Sequence, residues 1–145
     1  MKIQNAQPAR NTRILSVGAY RPSRIVPNSE IVDAIESSDE WIQQRTGIKT
    51  RHFAGVDESL VDMAYAAAKI AIERAGLTAA DIDTVIFSTI TYPYQAPSAA
   101  TELIARLGNT KAAAFDLSAA CAGFSYGVGI ASDLVRNHTS KYALV

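Results

Sequence analysis

Short apolar runs alternate with longer segments of helical spacing, and this alternation restricts the possible folds more than any other feature of the chain. The runs Thr84–Ile90 and Ala113–Leu117 are predominantly apolar, as expected of strands buried on both faces of a sheet. Two further strands are predicted at Ile14–Tyr20 and Tyr142–Val145. Helices are predicted at 59–75, 98–107 and 122–137. This order predicts right-handed βαβ units, and therefore an α/β fold whose largely parallel or mixed sheet is covered by helices on both faces.

Composition and charge exclude several classes of function. The chain has 145 residues, which is enough for one domain with a sizeable core. Its 14 basic and 14 acidic residues give no electrostatic argument for binding nucleic acid or an anionic membrane. No apolar run approaches the ~18–20 residues of a membrane span, and the first dozen residues lack the apolar core of a signal peptide, so we expect a cytoplasmic protein. The single cysteine and the lack of a Cys/His cluster predict no disulfide and no metal site.

The only cysteine, Cys121, lies where the predicted strand Ala113–Leu117 gives way to a helix. A thiol there is close to unpaired backbone N–H groups and to the positive end of the helix dipole, and both favour the thiolate. The helix end contributes at most ~2 kcal/mol, so a nucleophilic Cys121 also needs a basic or cationic partner. Neither His52, in an exposed segment, nor His138, at the far end of the same helix, is well placed for this. The alternative interpretation is that Cys121 is a small core residue.

Trp41 and Arg45 form a second candidate site. They are four residues apart in a predicted helix and therefore share one of its faces. An indole beside a guanidinium is suited to stacking on a nucleotide and binding its phosphates. The alternative is that Trp41 is a half-buried packing residue and that Arg45 complements the helix C-terminus.

Capping residues divide the segment that contains this pair into two predicted helices. Asn28 is predicted to cap a short helix at 29–36. Ser37 and Glu40 form a predicted capping box for the second helix, and Gly47 suits its C-terminal cap.

Three glycines, Gly123, Gly127 and Gly129, lie in the helix after Cys121. Their order differs from the G-x-G-x-x-G of a dinucleotide site, and no acidic residue is placed to bind a ribose. We interpret them as small residues that let this helix pass through a crowded interior.

Four stretches, in order along the chain, resemble motifs of β-ketoacyl-acyl carrier protein synthase III, a thiolase-fold family that starts fatty acid synthesis. They are Val17–Tyr20 with Pro22, Ser38–Ile42 followed by Arg45–Ile48, Pro97–Ala100, and the run DLSAACAGF around Cys121. The resemblance covers nearly everything after Thr12. It implies a thiolase-like fold of two pseudo-symmetric halves, with the first half at 13–145 after a polar leader at 1–12. A helical insertion at 28–56 then carries the coenzyme A contacts.

The resemblance also implies an activity and a set of site residues. Cys121 takes the acyl group from an acyl-CoA primer, and malonyl-acyl carrier protein then condenses with it and loses CO2. Trp41 and Arg45 contact the nucleotide end of coenzyme A, with Ser37 near the same ligand. Ala96 matches a position that reaches into the partner subunit's acyl tunnel, so we expect a homodimer that accepts longer or branched primers. Coenzyme A enters only as a substrate thioester, and no cofactor is implied.

The family's catalytic His and Asn belong to its second half, so this chain alone is expected to be inactive or nearly so. Its extended apolar ending, KYALV, leads us to expect a truncated product with an exposed apolar face. Two other functions remain open. One is another thiolase-fold condensing enzyme, of the polyketide or alkylquinolone starter type, although the SDEW and PSAA motifs favour the fatty acid enzyme. The other is a non-catalytic α/β domain in which Cys121 is inert.

Overall fold

The structure is a computed structural model that describes residues 11–145 and divides into two compact units. One unit is Tyr20–Met63, and the other consists of residues 11–19 and 64–145. The predicted leader at 1–12 lies outside the described residues except for its last two. The predicted insertion at 28–56 lies within the Tyr20–Met63 unit.

The Tyr20–Met63 unit contains a two-stranded antiparallel sheet and one complete α-helix. Its elements are strand β1 (Arg24–Pro27), helix α1 (Asp39–Thr46), strand β2 (Thr50–Phe53) and the first residues of helix α2 (Leu60–Arg74). Helix α1 begins after Ser38, whose Oγ accepts a hydrogen bond from the N–H of Trp41 at 3.2 Å. It ends at Gly47, which has a φ of 70° and donates its N–H to the carbonyl of Gln43, as predicted.

Two predicted details near α1 are wrong. The helix predicted at 29–36 is only a short 3-10 helix at Asn28–Glu30 followed by turns. Asn28 does not cap it, because its side chain is buried and bonded to other parts of the unit. Ser38, and not Ser37, caps α1, because Ser38 has the extended backbone that a capping residue needs.

The second unit contains a parallel sheet. Its elements are the remainder of α2, strand β3 (Thr84–Ser88), helix α3 (Ala99–Arg106), strand β4 (Ala113–Leu117), helix α4 (Gly123–Arg136) and strand β5 (Ala143–Leu144). The strand order is β4-β3-β5, and Thr84 pairs with both Ala113 and Ala143. The crossovers through α3 and α4 run in opposite directions across β3, so right-handed connections place these helices on opposite faces. The predicted parallel α/β arrangement is therefore confirmed.

Buried residues of β3 and α3 form much of this unit's core. They are Val85, Ile86, Ala99, Ala100, Leu103 and Ile104. Capping residues begin the surrounding helices: Ser59 and Asp62 exchange hydrogen bonds at the start of α2, and Ser98 Oγ accepts the N–H of Thr101 in α3. Within residues 11–145, no helix is long and apolar enough to cross a membrane.

The strand predicted at Ile14–Tyr20 is wrong, because no strand forms between residues 11 and 22. Part of the segment is instead bonded to α2. Ser16 Oγ donates to the carbonyl of Ala71 at 2.6 Å, and Arg74 Nη1 donates to the carbonyl of Val17 at 2.8 Å. An apolar run becomes a strand only where a second strand pairs with its backbone, and a single sequence does not reveal that partner.

Candidate active site

Cys121 lies in a single turn of 3-10 helix, Ala120–Ala122, between the end of β4 and the start of α4. The predicted strand-to-helix setting is therefore present, with one short turn between the two elements. Ala120, directly before the cysteine, has a φ of +44°, a left-handed conformation that is unusual for a residue with a side chain. Cys121 is exposed and has no disulfide. Its thiol is thus available to a reagent or substrate.

The exposed thiol faces a cavity of about 1080 Å³ whose lining residues all belong to the unit of residues 11–19 and 64–145. Most of the lining is apolar, and it includes Ile86, Ser88, Ala120, Cys121 and Phe124. Residues 11–18 and small side chains of α2 also line it. A cavity of this size and polarity fits an acyl chain and the thioester attached to it.

The loop that precedes α3 emerges beside the cysteine. Strands β3 and β4 are parallel neighbours, so the segments that follow them leave the same edge of the sheet. The N–H of Thr89 donates to the carbonyl of Leu117 at 3.2 Å, which joins the two segments where they begin. Ala96 lies in this loop, is exposed, and precedes a cis peptide bond to Pro97.

Asp116 anchors the other end of this loop. From β4 its two carboxylate oxygens accept the backbone N–H groups of Ala99 at 2.9 Å and Ala100 at 2.8 Å. These are the first two N–H groups of α3, which have no partner within the helix. The carboxylate also complements the positive end of the helix dipole. Sequence reasoning missed this residue, although a single carboxylate inside the apolar run of β4 was a signal for it.

Tyr92 fastens the middle of the loop to α3. Its hydroxyl donates to Glu102 Oε2 at 2.8 Å, and its ring packs edge-on against Tyr94 with the centroids 5.6 Å apart. The hydrogen bond to Glu102, followed by partial burial and the carboxylate's charge, raises the pKa of Tyr92 above its ordinary value of 10.0. The phenol therefore stays neutral near pH 7 and acts as a donor.

Helix α4 approaches β3 closely behind the cysteine. A Cβ placed on Gly123 would lie 3.1 Å from Ser88 Cβ, and one on Gly127 would lie 2.7 Å from Val145 Cγ1 and 3.2 Å from Ser88 Oγ. The predicted reason for these two glycines is therefore confirmed. It is wrong for Gly129, where an added Cβ would have no neighbour within 4 Å. Ser88 Oγ is buried in this contact and has no hydrogen-bond partner among the described residues.

The Trp41 and Arg45 pair belongs to the Tyr20–Met63 unit. Arg45 Cζ lies 5.7 Å from the centroid of the indole ring, so the two side chains share a face of α1 as predicted. Trp41 is 55% exposed, which leaves a large part of the indole open to a ligand and argues against a role in packing alone. Ser37 is half-buried two residues before the helix, and its N–H donates to the carbonyl of Val32.

His138 does not supply a base to the cysteine, and His52 belongs to the other unit. His138 follows α4, whose 14 residues rise about 21 Å along the axis, so it lies far from the end at which Cys121 is found. His52 lies in β2 of the other unit, where its Nδ1 is bonded to the carbonyl of Pro22. Among residues 11–145, no group of three His, Cys, Asp or Glu side chains could hold a metal ion.

Residues 115–145, which include Cys121, match the family model described as 3-oxoacyl-[acyl-carrier-protein (ACP)] synthase III. Over 138 residues, or 95% of this chain, the sequence is 55% identical to the β-ketoacyl-[acyl-carrier-protein] synthase III of Kocuria rhizophila. Over 144 residues, or 99% of this chain, it is 49% identical to the protein of the same name from Streptomyces glaucescens. These matches cover 39% and 43% of the two proteins, so the chain spans about two fifths of the length of these curated relatives.

Solved structures of similar proteins have the same fold. The priming β-ketosynthase of the R1128 polyketide pathway superposes with a TM-score of 0.88 at 42% identity, covering 94% of this chain and 41% of that one. The 3-oxoacyl-[acyl-carrier-protein] synthase III of Aquifex aeolicus VF5 gives a TM-score of 0.82 at 38% identity, covering 88% and 41%. The resemblance seen in four motifs thus extends over nearly the whole chain, and the predicted thiolase-like α/β fold is confirmed.

Proposed function

We propose that this chain is the nucleophile-bearing part of a β-ketoacyl-[acyl-carrier-protein] synthase III, a cytoplasmic enzyme that starts fatty acid synthesis. The observation that carries the proposal is the placement of Cys121, exposed on the wall of an apolar cavity within the region that matches the family model. The reaction needs a group that is both a strong nucleophile and a good leaving group. A cysteine thiolate is both.

In the proposed reaction, the thiolate of Cys121 attacks the carbonyl carbon of an acyl-CoA thioester. A new C–S bond forms to the enzyme, the old one breaks, and coenzyme A leaves as its thiolate. Malonyl-acyl carrier protein then loses CO2, and the carbanion that remains attacks the carbonyl carbon of the acyl-enzyme. The bond to Cys121 breaks and β-ketoacyl-acyl carrier protein is released. The backbone N–H of Cys121, at the start of the helical segment, is the oxyanion donor we propose for both attacks.

Trp41 and Arg45 are the residues that we propose to hold the nucleotide end of coenzyme A. The exposed indole offers a stacking surface for adenine, and the guanidinium beside it offers charge and paired donors for phosphate. Ser37 is proposed as an additional contact near the same ligand. The proposed reaction uses no cofactor, because coenzyme A enters as the acyl thioester of the substrate and leaves as a product.

Ala96 is proposed to shape the acyl pocket of a partner subunit in a homodimer. It is exposed in the loop after β3, and its methyl group leaves space where a larger side chain would fill it. We therefore expect the complete enzyme to accept longer or branched acyl-CoA primers. Replacing Ala96 with Phe should shift its preference towards acetyl-CoA in a competition between acetyl-CoA and isobutyryl-CoA. An unchanged product ratio would contradict this role.

Starter condensation in polyketide synthesis is the second candidate function. It is favoured by the similarity to the R1128 priming β-ketosynthase, at 42% identity. Both candidates use the same acylation of Cys121, and they differ in the carrier protein that supplies malonyl. A comparison of malonyl groups presented by a fatty acid carrier protein and by a polyketide carrier protein separates them.

Acylation of Cys121 is tested on the complete enzyme, because this chain alone is expected to be inactive or nearly so. After incubation with acetyl-CoA, we expect the intact mass to increase by one acetyl group that hydroxylamine removes and that the Cys121→Ala variant lacks. Acyl-CoA should also protect Cys121 from iodoacetamide. A Cys121 that is neither acylated nor protected, and that reacts no faster than free cysteine at pH 7, would favour the non-catalytic domain. From this chain alone we expect little or no condensation with malonyl-acyl carrier protein, because the family's catalytic His and Asn are expected outside it.

A further inference from the structure

Asn28 is a buried polar residue in the Tyr20–Met63 unit that the proposed chemistry does not use. Its side chain is 1% exposed, although asparagine is usually found at the surface. A buried amide is expensive unless its donors and acceptor are all bonded. The partners of Asn28 therefore indicate what the residue is for.

The amide of Asn28 holds both ends of helix α1. Its Nδ2 donates to Asp39 Oδ1 at 2.5 Å, and Asp39 is the first residue of the helix. The same nitrogen donates to the carbonyl of Ile48 at 2.9 Å, directly after the glycine that ends the helix. Its Oδ1 accepts a hydrogen bond from Arg51 Nη2 in β2. One side chain thus joins the start of α1, the end of α1 and the adjoining strand.

Further hydrogen bonds connect this junction to Gln43 and to strand β1. The second carboxylate oxygen of Asp39 accepts Gln43 Nε2 at 2.6 Å, so the carboxylate is held from both sides. Arg51 Nη1 also reaches the carbonyl of Val26 in β1 at 3.4 Å, which ties the junction to the other strand of the sheet. Helix α1 has only eight residues, and a helix of that length depends on contacts outside itself to stay folded.

We infer that Asn28 is a positioning residue for the nucleotide end of coenzyme A, because by holding both ends of α1 it fixes Trp41 and Arg45 as a preformed stacking pair. The inference rests on the proposed function, which assigns coenzyme A to this pair. A preformed pair does not lose side-chain and backbone freedom when the ligand binds. Loss of the preformed arrangement therefore weakens affinity, although every group that touches the ligand is still present.

Trp41 reports on this site without a label, because it is the only tryptophan in the chain. Its fluorescence can be followed in the chain without ligand, as anisotropy, and during titration with coenzyme A. Pantetheine, which lacks the nucleotide, serves as the control ligand. We expect Asn28→Ala to weaken coenzyme A binding about tenfold, equivalent to the loss of one hydrogen bond to a charged partner, and to lower the anisotropy of Trp41 before any ligand is added.

Asn109 provides a matched control. It is also a buried asparagine, at 6% exposure, and its Nδ2 donates to the carbonyls of Ala79 and Ile82, both at 2.8 Å, in the other unit. Asn109→Ala should lower the melting temperature about as much as Asn28→Ala does. It should leave the affinity for coenzyme A within twofold of the unaltered chain's and the anisotropy of Trp41 unchanged.

A reversed pair tests the contact itself. Asn28→Asp places a second carboxylate against Asp39 and should weaken binding at least as much as Asn28→Ala. Adding Asp39→Asn restores a donor facing an acceptor at the start of α1 without changing the chain's composition. The carbonyl of Ile48 still lacks its donor, so only part of the lost affinity should return. Asn28→Ala with unaltered coenzyme A affinity and Trp41 anisotropy would overturn the inference. If the unaltered chain gives no response to coenzyme A, the proposed function fails at this site, and the ligand-free anisotropy alone decides whether Asn28 orders the pair.

Discussion

The left-handed backbone of Ala120 leads to a prediction about the stability of the turn Ala120–Ala122, which contains Cys121. Its φ of +44° costs a residue with a side chain about 1–2 kcal/mol, a cost that glycine does not have. Replacement by glycine also increases the freedom of the unfolded chain, which costs about 0.4–1 kcal/mol. The difference predicts that Ala120→Gly raises the free energy of unfolding by about 0.8 kcal/mol, and by at most about 1.6 kcal/mol. Glycine substitutions usually lower stability, so the sign alone is informative.

The neighbouring residue provides the control. Ala119 has a φ of −143°, so Ala119→Gly relieves no left-handed strain and should lower the free energy of unfolding by about 0.4–1 kcal/mol. Urea unfolding at 25 °C, followed by circular dichroism, gives both values. Their difference isolates the strain at Ala120, about 1–2 kcal/mol. Equal destabilisation by the two variants would refute the reasoning.

The same substitution should act on the chemistry in the opposite direction. Ala120 directly precedes Cys121, and a side chain at that position limits the conformations that the turn can adopt. In the complete enzyme we therefore expect Ala120→Gly to be acetylated by acetyl-CoA more slowly than the unaltered sequence, although it is more stable. Acetylation at an unaltered rate would contradict this prediction and show that the backbone strain at Ala120 does not affect the reactivity of the thiol.

Three further outcomes are expected from the same unfolding assay. Asp116→Asn should lower the free energy of unfolding by about 1–2 kcal/mol, because an amide replaces a carboxylate that accepts two helix N–H groups. Ser88→Ala should raise it by about 1 kcal/mol, because it removes a buried hydroxyl without a partner among the described residues; a loss of stability would mean that the hydroxyl is bonded. Hydrogen bonds from Asn28 and Gln43 lower the pKa of Asp39 below its ordinary value of 3.8, and hydrogen bonds from the hydroxyl and the backbone N–H of Thr78 do the same for Asp81. Their contribution to stability is therefore complete above pH 3.8 and lost as the pH falls through the lowered values, which a series of urea midpoints from pH 5 downwards measures.

Local patterns in the sequence predicted the elements that depend on local interactions. Strand β4 has the predicted bounds, and α4 differs from its predicted range by one residue at each end. Gly47 ends α1 as predicted, since a left-handed cap depends on one residue and its near neighbours. The shared face of Trp41 and Arg45 follows from their spacing in the same way.

Features that depend on distant partners were not predictable. The run at Ile14–Tyr20 has the composition of a strand, but it bonds to α2 through side chains. The buried face of α2 is formed by Val61, Ala68 and Ile72. The spacing of apolar residues in the sequence predicts a different core stripe, which is only half-buried: Leu60, Met63, Ala64, Ala67, Ile70 and Ala71. Both outcomes depend on what lies opposite the segment, and periodicity does not specify that.

Asn28 and Ser38 show how capping signals mislead when several polar residues are adjacent. Asparagine and serine favour helix starts because their side chains bond to nearby backbone N–H groups. The amide of Asn28 instead bonds to residues 11, 20 and 23 positions away, which no local rule anticipates. Of two consecutive serines, Ser38 has the extended backbone of a cap and accepts the N–H of Trp41. In both cases the residue type indicated that the side chain forms hydrogen bonds, but it did not indicate with which groups.

The position of Cys121 depends on how deeply α4 packs against the sheet. The helix begins two residues after the cysteine, so a shift of its first turns moves the thiol with it. Gly123 and Gly127 permit the close approach, since a Cβ at either position would press on Ser88 or Val145. The hydrogen bonds of Asp116 fix α3, and the loop before it, relative to the same edge of the sheet. Cys121 is therefore placed by the packing of α4 against β3, and a larger residue at Gly127 would displace it without touching it.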